Sequence, residues 1–126
     1  MFERLMGFKS VSPRELQQMM QKQAVTVVDV NSQHSWETAR VPGALSLDPV
    51  GYEERDLQAD KDAVVVFYCS NFLCQKAPNA ARRAKGMGYR NVYVMSAGIS
   101  GWLGACMPTE SGKRISRAAV GVEPDS

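Results

Sequence analysis

The sequence predicts an α/β domain built on a mostly parallel sheet, and three observations carry that expectation. Val25-Thr26-Val27-Val28-Asp29-Val30 and Ala63-Val64-Val65-Val66-Phe67-Tyr68 are nearly unbroken runs of β-branched and aromatic residues, the pattern of strands covered on both faces. The strand runs alternate with helical segments, as βαβ units require. One of those segments, 78–85, sets Ala80, Ala81 and Ala84, with Met87, on one face and Arg82, Arg83 and Lys85 on the other. Such a small-residue face suits a crossover helix packed closely on a sheet.

The first helix is signalled by Val11-Ser12-Pro13-Arg14-Glu15-Leu16. Ser12 can cap, Pro13 fits the first helical position, Glu15 can reach back in a capping box, and Val11 and Leu16 can staple the turn. Leu16, Met19 and Met20 recur at helical spacing, so the helix runs to about Lys22 with its methionines in the core. His34 and Trp36 fall in a short polar helix before Glu37, where surface or boundary packing is expected of both. Shorter strands are expected at 44–47 and 91–95, the second after the turn signal Gly86-Met87-Gly88.

Composition narrows the function classes. With 126 residues, 44% hydrophobic and 22% charged, the chain supports one core and not two. A formal net charge of +2, without a basic run interleaved with aromatics, points to neither nucleic acid nor a membrane surface as partner. The start, MFERLMGFKS, lacks a continuous apolar stretch, so a cytoplasmic protein is expected. Cys69, Cys74 and Cys106 make an odd set suited neither to a disulfide framework nor to a four-ligand zinc site, and no metal or cofactor is expected. Polarity rises and periodicity fades beyond about Glu110, so 111–126 reads as a loosely held tail, with a weak helix signal around 115–120. Residues 1–10 read as an N-terminal extension.

Cys69 directly follows a buried strand and precedes a helix. Backbone N–H groups and the positive end of the helix converge at such a position, an arrangement that lowers a thiol pKa and cradles anions. The alternative is a small apolar residue that ends a core strand.

Asp29-Val30, Glu37, Arg40-Val41-Pro42-Gly43-Ala44, Tyr68-Cys69, Ala80-Ala81, Gly88-Tyr89-Arg90-Asn91-Val92 and Gly98-Ile99-Ser100-Gly101-Trp102 follow one another in the order and spacing of the rhodanese homology domain. From about Val11 to Pro108 the chain strongly resembles that family, which places a single rhodanese-like domain over 11–110. The resemblance implies a five-stranded parallel sheet flanked by helices, with Cys69 as the catalytic cysteine of a tight loop. It also implies a sulfurtransferase that moves a sulfane sulfur from thiosulfate or a thiol persulfide, through a Cys69 persulfide, to a thiol or cyanide-like acceptor or a protein sulfur acceptor.

The substrate loop is then Ser70, Asn71, Phe72, Leu73, Cys74, Gln75 and Lys76, whose N–H groups would hold the anion. Several positions depart from the family's common pattern. Cys74 stands where the loop usually carries a basic residue, and the chain looks like the subgroup with a Cys-x4-Cys loop. Cys74 admits three roles: packing, a resolving thiol, or half of a reversible disulfide with Cys69. Lys76 reads as an exposed helix-start lysine, with anion contact as the alternative. Arg40 stands where many relatives have His, and Asn31 where many have Arg; both read as structural. Cys106 reads as a packing or turn residue.

Two further readings remain at this level. One is a non-enzymatic sulfur carrier or thiol redox sensor using Cys69 and Cys74. The other is phosphatase or arsenate reductase chemistry, which would need a bidentate arginine where the chain has Gln75 and Lys76.

Overall fold

The computed structural model describes residues 8–115. Five parallel strands form one sheet in the order β1-β5-β4-β2-β3: β1 is Lys9–Ser10, β2 Val25–Asp29, β3 Leu45–Ser46, β4 Val64–Tyr68 and β5 Asn91–Val94. The helices are α1 Pro13–Lys22, α2 Gln33–Thr38, α3 Lys76–Gly86 and α4 Gly98–Gly104, with a 3-10 turn at Glu54–Leu57. Among the described residues no helix is long and apolar enough to cross a membrane.

The expected first helix forms as its sequence dictates. Glu15 N–H donates to Ser12 Oγ at 3.0 Å and Ser12 N–H to Glu15 Oε1 at 2.8 Å, a capping box worth about 1 kcal/mol. Leu16 is wholly buried beside Val11, with Met19 and Met20 packed around them. The four strands expected from sequence all form, each trimmed by one or two residues at its ends. The extension expected over 1–10 meets a sheet instead: Lys9–Ser10 pairs with Tyr93 and Val94, and Phe8 is buried. A two-residue strand has no periodicity of its own, because its existence depends on the distant partner that supplies its hydrogen bonds.

The pleat sorts β4 between two cores. Val65, Phe67 and, one step on, Cys69 face the alanine side of α3, formed by Ala77, Ala80, Ala81 and Ala84. Val66 and Tyr68 face Leu16, Val41, Met95 and Trp102 under α1 and α4. Alternation along the strand is thus what delivers Cys69 to the α3 side.

The tail expected to begin at 111 is held at its start. Gly112 N–H donates to the Glu37 carbonyl at 2.8 Å, and the carbonyls of Gly112 and Arg114 accept from Arg40. The reason is tertiary: Arg40, just past the end of α2, is buried with 0% exposure, and its guanidinium has more N–H groups than the Trp36 carbonyl and the Glu110 carboxylate can take. The helix signal around 115–120 falls, beyond Ile115, outside the described residues.

Candidate active site

Cys69 leaves β4, which lies between β5 and β2 near the middle of the sheet, at its carboxyl end. In open α/β sheets this is where ligands bind. A cleft of about 200 Å³ opens there, lined by Cys69, Asn71, Phe72, Cys74, Gln75 and Met95 among others.

The loop is fixed from two sides. On one side, Ile99 N–H and Ser100 N–H at the start of α4 donate to the carbonyls of Cys69 and Ser70 at 2.9 and 3.0 Å. Gly98 (φ +65°) makes this approach possible, since a Cβ there would stand 2.5 Å from the Ser70 carbonyl carbon. On the other side, Ser70 Oγ donates to Asn31 Oδ1 at 2.8 Å, and Asn31 N–H donates to Asp29 Oδ1 at 2.8 Å. Asp29 Oδ2 accepts the Tyr68 hydroxyl at 2.6 Å, and Val41 N–H donates to that same hydroxyl at 3.0 Å. Burial holds the Asp29 carboxyl above its ordinary range against these donors. Asn31, read from sequence as structural, therefore braces the loop directly.

The loop folds on itself at Asn71. Its side chain accepts from Leu73 N–H at 2.9 Å and its carbonyl from Cys74 N–H at 3.2 Å. Two amides counted from sequence as part of an anion cradle are therefore spent inside the loop. The amides that face sulfur are those of Ser70, Lys76 and Ala77: Ser70 donates to both thiols, Ala77 to Cys69 and Lys76 to Cys74. No side chain caps α3, its third residue Pro78 has no N–H, and Asn79 N–H already reaches the Gln75 carbonyl. Both free amides of the first turn thus end on sulfur. Phe72 and Leu73, at 74% and 88% exposure, form the outer tip.

The two thiols form one hydrogen-bonded pair. Burial, reinforced by the bond to Cys74, pushes the Cys69 thiol up to about 11, although the amides of Ala77 and Ser70 pull the other way. Burial also opposes a Cys74 thiolate, but the bond from Cys69, the amides of Ser70 and Lys76 and the Lys76 charge outweigh it, so Cys74 lies below its ordinary value. The sequence expectation of a Cys69 acidified by its position is reversed. The cause is local: Cys69 is 3% exposed, and the more open partner takes the charge.

The side chains of the remaining residues singled out from sequence do not line the cleft, although the Lys76 amide and charge act on Cys74. Lys76 is exposed at the start of α3, beside a shallow polar hollow with Asn31, Ser46 and Asp48. His34 is exposed on α2, whereas Trp36 is buried and donates from Nε1 to the Ala44 carbonyl at 2.8 Å. Cys106 is exposed at φ +58°, a turn residue past the end of α4. Among the described residues no three His, Cys, Asp or Glu side chains are grouped to hold a metal ion. The bracing roles of Gly98 and Asn31 were not read from sequence. The Gly98-Ile99-Ser100-Gly101 stretch marked a motif, but which backbone it pressed against required the fold.

This site on this sheet defines the class. The Rhodanese-like domain family model matches residues 12–105, and the chain belongs to that family. It is 27% identical over 97 residues to the thiosulfate sulfurtransferase GlpE of Coxiella burnetii, covering 77% of this chain and 89% of the relative. It is also 27% identical over 106 residues to the protein of the same name from Haemophilus influenzae, covering 84% and 98%. A crystal structure of a Bacillus halodurans protein superposes with a TM-score of 0.75 at 21% identity, covering 89% of this chain and 82% of that one.

Proposed function

We propose that the protein is a sulfurtransferase in which Cys69 carries a sulfane sulfur as a persulfide. Membership of the rhodanese-like family and the likeness to relatives named thiosulfate sulfurtransferase support the reaction class. The observation that carries the assignment of the nucleophile is the pair of backbone amides, Ser70 and Ala77, aimed at Cys69 sulfur on the wall of a cleft. Fixed dipoles of this kind stabilise the anionic sulfur of a persulfide without reorganising.

Cys69 sulfur attacks the outer sulfur of thiosulfate or of a thiol persulfide and expels sulfite or the thiolate. A nucleophilic acceptor, a small thiol, cyanide-like anion or protein thiol, then takes the outer sulfur. The three free thiols suit a reducing compartment, and we place the reaction in the cytoplasm.

Intact mass after incubation with thiosulfate, and separately with glutathione persulfide, tests the reading. The wild type should gain one sulfur and Cys69→Ser none. A Cys69→Ser protein that still loads, while Cys74→Ser does not, would assign the nucleophile to Cys74 and overturn the proposal.

A further inference from the structure

A buried thiol that is to attack a dianion must lose its proton to something, and the cleft offers one candidate. Its described lining includes Cys69 and Cys74 but no His, Asp, Glu, Lys or Arg, and the Lys76 charge acts on Cys74 from outside it. The chain's sole histidine, His34, is exposed on α2. Cys74 is the one titratable side chain beside Cys69 there, and the two are hydrogen-bonded with Ser70 N–H donating to both sulfurs.

From this arrangement, and resting on the sulfurtransferase reading, we propose that Cys74 is a second catalytic thiol that takes the proton of Cys69 during sulfur loading and returns it during sulfur release. Once the pair has lost one proton, the charge sits on Cys74 with Cys69 S–H donating to it, and this singly ionised form is the one that reacts. As thiosulfate enters, a Cys69 electron pair forms the new S–S bond, the S–S bond of thiosulfate breaks with its pair leaving on sulfite, and the Cys69 proton passes to Cys74. The products are a Cys69 persulfide anion, a neutral Cys74 thiol and sulfite. No oxidant or reductant is consumed.

In the second half an acceptor thiolate attacks the outer sulfur, the acceptor persulfide departs as an anion, and Cys74 reprotonates the Cys69 thiolate as it leaves. The site then stands as it began. One negative charge moves across one hydrogen bond and back. Lys76 N–H holds it on Cys74, Ala77 N–H receives it on the Cys69 side, and Ser70 N–H serves both ends. The two first-turn amides of α3 are thus divided between the two resting places of the charge.

Two measurements test the shuttle. The first is the rate of sulfur loading from thiosulfate by wild type and Cys74→Ser across pH 6 to 11. The variant should load about a hundredfold more slowly near pH 7, the low end of what a positioned base contributes, and should recover as alkali ionises Cys69 directly. Superimposable profiles would overturn the shuttle while leaving the persulfide assignment intact. Failure of both proteins to load at any pH would overturn the sulfurtransferase reading and the shuttle with it. The second measurement does not depend on transfer: the pH midpoint of iodoacetamide labelling at Cys74, mapped by peptide mass in wild type and Cys69→Ala, with circular dichroism to confirm folding. Loss of the Cys69 donor should move the midpoint up. An unmoved midpoint would show that the thiols do not share a proton, and would overturn the proposal.

Discussion

Arg40 and Cys69 are both buried, at 0% and 3% exposure, yet the protein surrounds them in opposite ways. Arg40 spends its donors inside the protein: Nε on Glu110 at 2.9 Å, Nη1 on the carbonyls of Trp36 and Gly112 at 2.9 and 2.7 Å, and Nη2 on the Arg114 carbonyl at 2.5 Å, while its plane lies 3.7 Å from the Trp36 ring centroid. Cys69 faces the reverse situation. Amides converge on its sulfur, a second thiol touches it, and a cleft opens beside it. A buried charge whose every bond ends on protein is a fastener, whereas a buried thiol that faces donors and a void has the surroundings the proposed nucleophile requires. Burial alone does not separate the two, but the destination of the hydrogen bonds does.

The sharpest way to break this contrast is Arg40→Leu. The substitution leaves the Glu110 carboxylate, 11% exposed, without its guanidinium and strands the Trp36 carbonyl contact. Breaking a buried pair from one side costs about 3–5 kcal/mol, so the denaturant midpoint should fall steeply while sulfur loading per folded molecule stays near wild type. Lost loading with unchanged stability would make Arg40 part of the site and erase the distinction. Gly98→Ala probes the other member of the pair. Its Cβ would meet the Ser70 backbone at 2.5 Å in a left-handed conformation, and relieving that overlap costs about 2–4 kcal/mol. Here loading should fall by more than tenfold in protein that circular dichroism reports as folded, because the displaced segment carries the Ser70 amide that donates to both thiols.

A smaller effect is expected from the chain end. Protein ending at Glu110 lacks the Gly112 and Arg114 carbonyls that accept from Arg40 and the Gly112 N–H that donates to Glu37. Protein ending at Ile115 keeps all three. The longer form should be more stable by about 2 kcal/mol, the worth of one or two hydrogen bonds to a charged group, as chemical denaturation of the two would show. Equal stabilities would mean that solvent satisfies Arg40 as well as the strap does.

Which of these features was legible in sequence follows from the range of the interaction behind it. The capping box of α1 and the runs of β2 and β4 were readable because a few neighbouring residues determine them. So was Cys69, since the end of a strand run and the start of an alanine-faced helix bracket it. The strand at Lys9–Ser10, the strap on Arg40 and the Gly98 contact join segments far apart in sequence, and no local pattern encodes them. The order in which the thiols ionise was the least accessible. It depends on which amide of α3 reaches which sulfur, and on Asn71 having withdrawn the amides of Leu73 and Cys74 from the site.

The same thiol pair makes a prediction for stability against pH, the smallest effect and the one that sharpens the contrast with Arg40 furthest. Cys74 is lowered from an ordinary value of 9.0, so between its folded value and 9.0 the unfolded chain binds more protons than the native one, and its contribution to stability grows as pH rises through that window. Cys69 is raised from 9.0 to about 11, so between those values the native protein binds more protons, and its contribution is complete below 9.0 and lost as pH rises toward 11. Together the two thiols should impose a shallow stability maximum near pH 9, read from urea midpoints collected from pH 7 to 11. The effect is modest because Cys74 is partly solvated and its charge is screened. The Cys69→Ala, Cys74→Ala protein should lose the maximum and keep the slope contributed by all other groups. If the double variant follows the wild-type curve throughout, the thiols titrate independently of folding, and the pair would be no more coupled to the structure than any exposed cysteine.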